Sequence, residues 1–297
     1  MALAADRRCL GEGRTTMIST NPSTALPSGE KVPVLGQGTW TMGDDRQRRD
    51  EEIAALRLGI DLGMTLIDTA EVYGNGASEQ LVGEAIAGRR NEVYLVSKVL
   101  PSNASRRGTV RACERSLVRL GTDRIDLYLL HWRGHHGLHE TVRGMEELRS
   151  AGKIRHWGVS NLDHTEMEDL VRIENGRHCA TNQLLYNLAR RGVEYDLLPW
   201  CREQGMPVMA YSRLDEGKLI THPAVTKVAA AHDATPAQIA LAWLLRRDGV
   251  IAIPKTANER RVRENAASLG LTLNADDLAL LDDAFPPPSR PEPLEMI

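Results

Sequence analysis

Leu66-Ile67-Asp68-Thr69-Ala70-Glu71-Val72-Tyr73-Gly74 is the stretch on which the fold of this chain turns. A short apolar run ends in a carboxylate, and a tyrosine follows five residues later. The same grammar recurs twice downstream. Val93-Tyr94-Leu95-Val96-Ser97-Lys98 ends in an amine, and Ile125-Asp126-Leu127-Tyr128-Leu129-Leu130-His131 ends in an imidazole. Each run has the length and composition of a buried strand, and a stretch of helical periodicity follows each. Working outward, strand-like runs begin near Val34, Leu66, Val93, Ile125, Ile154, Ala180, Val208 and Val250. Helical stretches follow over 51–62, 79–87, 110–120, 140–150, 165–173, 196–204, 236–247 and 259–267. Gly63, Gly121, Gly152, Gly176 and Gly205 stand just past five of them, where a left-handed residue ends a helix. Strict alternation predicts an α/β fold, a (β/α)8 TIM barrel, with the ionisable side chains collected at the carboxyl ends of its strands. Gly36-Gln37-Gly38 lacks the third glycine of a dinucleotide fingerprint and argues little for an open sheet.

The flanks add three expectations. Ser28-Gly29-Glu30 between Ala25-Leu26-Pro27 and Lys31-Val32-Pro33 reads as an N-terminal β-hairpin against the barrel floor. Asn274-Ala275-Asp276-Asp277 caps an extra C-terminal helix, and the tail beginning Pro286-Pro287-Pro288 should lie over the barrel surface. Residues 1–20 carry Asp6, Arg7, Arg8, Glu12 and Arg14, which break up any signal-peptide core. They read as a disordered leader before one domain over 21–297.

Composition narrows the function classes. Apolar residues make up 42%, charged residues 26%, and the formal net charge is −3, which gives no attraction to nucleic acid or membrane. No apolar run approaches the roughly 18 residues of a membrane span. The four cysteines show no CxxC spacing, so neither a zinc site nor a disulfide framework is expected, and a reducing cytoplasm fits. His135-His136 has no third ligand at useful spacing, so no metal is expected.

The ionisable set suggests chemistry. A free phenol titrates near 10 and is a sluggish acid at neutral pH. A neighbouring ammonium favours the phenolate, and a carboxylate keeps that ammonium charged and fixed. Tyr73, Lys98 and Asp68 suit those three parts, for a proton delivered to a carbonyl oxygen. His131 could orient that oxygen or share the relay. Lys255 and Thr256 end the eighth strand, and Arg261 lies near the start of the next helix, a place suited to an anion.

With these residues assembled, the chain resembles the aldo-keto reductases. Asp68-Thr69-Ala70-Glu71-Val72-Tyr73-Gly74 is similar to that family's D-T-A-x-x-Y-G signature. The likeness continues through Gly158-Val159-Ser160-Asn161, Asn182-Gln183, Ala210-Tyr211-Ser212 and Ile253-Pro254-Lys255-Thr256. It implies a catalytic tetrad of Tyr73, Lys98, Asp68 and His131. It also implies a cofactor site at Gly38, Thr39, Trp40, Asp68, Ser160, Asn161, Gln183, Tyr211, Ser212, Arg213, Leu214, Lys255, Thr256, Arg261, Glu264 and Asn265. Ser160, Asn161 and Gln183 would hold a nicotinamide amide and Tyr211 would stack on its ring. Lys255, Thr256, Arg261, Glu264 and Asn265 would take the 2′-phosphate and adenine of NADPH, favoured over NADH. Arg213 stands where many relatives have proline, which removes a rigid φ from that loop. Trp40, Tyr73, His131 and Trp132 would line the substrate site.

The expected reaction is NADPH-dependent reduction of small aldehydes or ketones, with α-oxoaldehydes or keto-sugars as substrates. The expected protein is a monomer. Arg133 and His135, in a short loop after the fourth strand, could attract an acidic or polyhydroxylated substrate. Two alternatives compete. One is a non-catalytic NADPH-binding sensor on the same fold, against which an intact tetrad argues. The other is a hydrolase with paired carboxylates, for which no second acid is evident.

Overall fold

The structure is a computed structural model and describes residues 21–211 and 219–296. The expected leader, residues 1–20, and the segment carrying Ser212, Arg213 and Leu214 lie outside the described residues. Two short antiparallel strands come first, β1 (Ser23–Ala25) and β2 (Lys31–Pro33). Eight parallel strands follow: β3 (Gly36–Gly38), β4 (Leu66–Asp68), β5 (Tyr94–Val99), β6 (Ile125–Leu130), β7 (Ile154–Ser160), β8 (Cys179–Leu185), β9 (Val208–Tyr211) and β10 (Val250–Ala252). Each pairs with its sequence neighbour, and parallel bridges Leu35–Ala252 and Gly38–Lys255 close the sheet into a barrel. The expected barrel and hairpin are therefore both present.

Closure constrains β3 most. A Cβ on Gly38 would lie 2.8 Å from the Ile253 carbonyl oxygen, so only glycine lets the first and last strands meet here.

The barrel is wrapped by α1 (Arg49–Asp61), α2 (Ala77–Ala85), α3 (Arg106–Leu120), α4 (Leu138–Ser150), α5 (His164–Arg172), α6 (Leu197–Glu203), α7 (Pro223–Ala231), α8 (Pro236–Leu245), α9 (Glu259–Ala267) and α10 (Ala275–Ala284). Helix α7 is absent from the sequence reading. His222 caps it, Pro223 opens it, and Ala224, Val225, Val228 and Ala229 are its buried face. Its alanines gave too weak an apolar stripe to register as a separate element.

The expectation for chain reversals holds at Gly63, Gly121, Gly152 and Gly205, all with positive φ. It fails at Gly176. There Asn175 takes the left-handed position, at φ 63°, because asparagine tolerates it almost as well. Gly176 is small for another reason: a Cβ would collide with the Leu170 carbonyl.

Strand alternation sorts the core into two layers. One face of each strand points at the helices. The other fills the barrel, where Leu66, Tyr94, Val96, Leu127, Leu129, Ala180, Met209, Ile251 and Ile253 form one cluster. Leu26 and Val32, on the hairpin, belong to that same cluster, so β1 and β2 seal the floor. The tail after α10 runs back over the surface. Glu295 pairs with Arg190 at 2.8 Å, and Met296 reaches the opposite mouth of the barrel.

Candidate active site

The interior layers explain where the polar side chains emerge. Because side chains alternate, a residue two positions past an interior one faces the same way. Leu66 leads to Asp68, Val96 to Lys98, Leu129 to His131, Met209 to Tyr211 and Ile253 to Lys255. Apolar filling thus gives way to a polar layer at the carboxyl ends of five strands. Tyr73 reaches the same level from the turn after β4, and Tyr73–Gly76 is a tight, kinked turn in which Gly74, Asn75 and Gly76 all have positive φ.

Asp68, Lys98, Tyr73 and His131 come together. Lys98 is wholly buried. Its Nζ donates to Asp68 Oδ2 at 2.7 Å, to the Thr69 carbonyl at 2.9 Å and to the Tyr73 hydroxyl at 3.3 Å. The His131 ring meets Tyr73 edge-on, with centroids 5.7 Å apart, and leans on Trp132 at 4.7 Å. Asp68, Tyr73, His131 and Trp132, together with Trp40, line a cavity of about 520 Å³, and Lys98 stands behind that wall.

The electrostatics differ from the sequence expectation in one respect. Burial opposes the charge on Lys98, yet Asp68, seconded by Tyr73, holds its amine above the ordinary value. Lys98 was expected to lower the Tyr73 phenol. Instead burial raises it; Lys98 pulls down, Asp68 pushes up again, and the net direction is upward. Desolvation of the phenolate outweighs one ammonium that is itself shared with Asp68. Tyr73 is therefore held in its protonated form. Burial, with the Lys98 charge adding to it, pulls the His131 imidazole down to about 2. Burial thus favours the neutral imidazole, which can orient an oxygen by hydrogen bond.

Ser160, Asn161, Gln183 and Tyr211 line the other half of the cavity. Ser160 Oγ donates to the Gln183 carbonyl at 2.9 Å. Asn161, at φ 58°, donates to the His131 carbonyl at 3.2 Å and accepts from the Tyr211 hydroxyl at 2.8 Å. Gln183 Nε2 donates to Asp68 Oδ1 at 2.8 Å. A carboxylate only accepts, so Gln183 has committed its nitrogen and leaves its carbonyl oxygen for a ligand. Thr39 has likewise committed its hydroxyl, to the Asp68 carbonyl at 2.9 Å.

At the end of β10, Lys255 is exposed beside the Asn258-capped start of α9. Arg261 is also exposed, and neither cation has a side-chain partner among the described residues. Asn265 is buried, and Glu264 pairs with Arg260 at 3.3 Å.

Arg133 and His135 do not line the cavity. Arg133 is drawn to Glu166 at 3.7 Å, and His135 leans on His136 with centroids 4.2 Å apart and planes tilted by 40°. Six lining residues are absent from the predicted site: Thr41, Asp44, Val72, Gly74, Ile253 and Met296. The loop after β3, which carries Thr41 and Asp44, holds both Thr41 and Gly43 at positive φ. Among the described residues, no group of three or more histidine, cysteine or acidic side chains is placed to hold a metal.

Comparison with known proteins agrees with this geometry. Residues 34–285 match the model of the aldo/keto reductase family. The chain is 52% identical over 272 residues to methylglyoxal reductase YeaE of Escherichia coli strain K12, covering 90% of this chain and 95% of that one. It is 32% identical over 267 residues to a glyoxal reductase of Bacillus subtilis strain 168, covering 89% and 93%. An aldo/keto reductase from Klebsiella pneumoniae, crystallised with NADP and acetate, superposes with a TM-score of 0.90 at 50% identity, covering 94% of this chain and 100% of that one.

Proposed function

Since the chain belongs to the aldo/keto reductase family and shares its oxidoreductase chemistry at carbonyl groups, we propose that it reduces small α-oxoaldehydes, methylglyoxal foremost, using NADPH in preference to NADH. The observation that carries this reading is the fully buried Lys98 amine, 2.7 Å from Asp68 and 3.3 Å from the Tyr73 hydroxyl, two residues that line a cavity. An isolated buried ammonium is costly, and a role at the site accounts for it.

The donor set suits the cofactor. Ser160, Asn161 and the Gln183 oxygen face one region with hydroxyl, amide and carbonyl groups matched to a carboxamide, and Tyr211 lies beside them for stacking. Unpartnered Lys255 and Arg261 at the start of α9 suit a 2′-phosphate, which is why NADPH is favoured. Thr256 and Asn265 flank that place, and Glu264 would help through Arg260. Gly38, Thr39 and Trp40 form the wall at β3. NADPH, when bound, supplies the hydride.

The residues of the chain do the rest. Tyr73 gives its proton to the carbonyl oxygen. Lys98 stabilises the phenolate left behind, and Asp68, braced by Gln183, keeps Lys98 charged and in place. Neutral His131 orients the oxygen. Trp40 and Trp132, 45% and 36% exposed, wall the mouth and leave room for a small substrate.

The test is NADPH oxidation with methylglyoxal. Tyr73→Phe should lose about 10²- to 10⁴-fold in kcat while NADPH still quenches the protein's fluorescence. Full turnover by the variant would remove Tyr73 as the acid. A non-catalytic NADPH sensor would show binding without turnover in the unmodified protein.

The reading extends to a monomeric, cytoplasmic protein of one domain over 21–297. Of the large exposed apolar side chains among the described residues, Trp40, Trp132 and Met296 line the cavity, and Val118 and Tyr195 are scattered. Cys113, Cys179 and Cys201 are buried thiols, which suits a reducing compartment. Among the described residues, no helix is long and apolar enough to cross a membrane.

A further inference from the structure

Asp44 stands at the substrate mouth with its charge unmatched. It is exposed, lines the cavity beside Trp40, Val72 and Tyr73, and has no hydrogen-bond or ion-pair partner among the described residues. Its place is fixed by backbone. Gly43, at φ 85°, packs so closely on α2 that a Cβ would lie 2.8 Å from the Ala77 carbonyl oxygen. The Gly43 amide is also held by Glu52 at 2.8 Å. Across the gap, a Cβ on Gly74 would sit 2.6 Å from Asp44 Oδ1, so the carboxylate abuts the turn that carries Tyr73.

Among the described residues, the other charges at the cavity do not offset it. Asp68 and Lys98 neutralise each other. Lys255 lies at the end of β10, on the cofactor side. Arg133, the cation nearest in sequence to His131 and Trp132, is taken by Glu166 and lies outside the lining. Arg48 and Arg49, near Asp44 in sequence, are paired with Glu51 and Glu84, and Arg46 does not line the cavity.

We propose that Asp44 is a specificity-determining residue that sets this site against carbonyl compounds bearing a carboxylate and leaves it open to neutral ones such as unionised α-oxoaldehydes. The proposal rests on the reductase reading above and names the substrate class for that site. Two like charges about 7 Å apart, at an effective dielectric between 80 and 20, repel enough to change an affinity about three- to fiftyfold. Electrostatic exclusion of this kind discriminates without any contact to the reacting carbonyl.

The test is a matched pair of aldehydes, 4-formylbenzoate and its methyl ester, which share a ring and a reacting group and differ in charge. The readout is the ratio of kcat/KM, acid over ester, at low ionic strength. Asp44→Asn should raise that ratio at least about threefold, and Asp44→Lys should raise it further. Added salt should raise the ratio of the unmodified enzyme toward that of Asp44→Asn. A ratio unmoved by both substitutions overturns the assignment while ester turnover leaves the reductase reading standing. Failure of the unmodified protein to reduce either aldehyde, or methylglyoxal, removes the reductase reading and this inference with it.

Discussion

His131 shows how one residue links catalysis to stability. Its folded-state value of about 2 lies far below the ordinary 6.5, because burial and Lys98 both oppose the cation. In the unfolded chain the imidazole takes a proton as pH falls through about 6.5, while the folded chain does not. The unfolded state then binds more protons, so stability present above that pH is lost as pH falls toward the folded value. The contribution is about 1.4 kcal/mol per pH unit once the unfolded imidazole is charged. Urea unfolding at pH 7.0, 5.5 and 4.5 should therefore show a shallower acid decline for His131→Gln than for the unmodified protein. An unchanged slope would mean that water reaches this ring freely. Tyr73 gives the complementary sign. A phenol held above its ordinary value stays protonated further into the alkaline range. The reduction rate should accordingly show no fall assignable to Tyr73 below about pH 9.

At the scale of elements, the turn Tyr73–Gly76 sets the reach of the acid, and its geometry depends on α3. Gly76 has φ 92°, and a Cβ there would lie 2.5 Å from Arg119 Cδ. Arg119 in turn binds Glu79, a wholly buried carboxylate that also accepts from Ser97 at 2.6 Å. An ion pair on α2 and α3 thus presses the turn into place. Glu79→Gln leaves Arg119 without its counter-charge and should cost about 3–5 kcal/mol in urea unfolding. It should also lower kcat more than it raises KM, since the acid is displaced and the mouth is not. An equal loss in both would place the effect elsewhere. None of this coupling was legible in the sequence, because residues 76, 79 and 119 lie on three separate elements.

For the whole molecule, the barrel needs its floor. Leu26 and Val32 complete the interior cluster, although the hairpin contributes no residue to the cavity lining. Leu26→Ala should destabilise the protein by about 2–5 kcal/mol and leave the KM for a small aldehyde within about twofold. A large KM change would show that floor and mouth are mechanically joined. The order of eight strands was legible because each strand is a short apolar run and each return is marked by glycine or asparagine. The ionisable residues at the strand ends were legible too, since a barrel collects every carboxyl terminus on one face. Alternation at period two carries that prediction further: Leu66 to Asp68, Val96 to Lys98 and Leu129 to His131 can be counted along the chain. What counting cannot supply is distance and dielectric. The upward shift of Tyr73, the nitrogen of Gln183 spent on Asp68, and the approach of Asp44 to Gly74 all arise between segments far apart in the chain. Residue type and spacing thus determined which groups meet, because strand geometry is local. Folding alone decided how each group is charged and what it faces, because desolvation and pairing are properties of neighbours brought in from elsewhere.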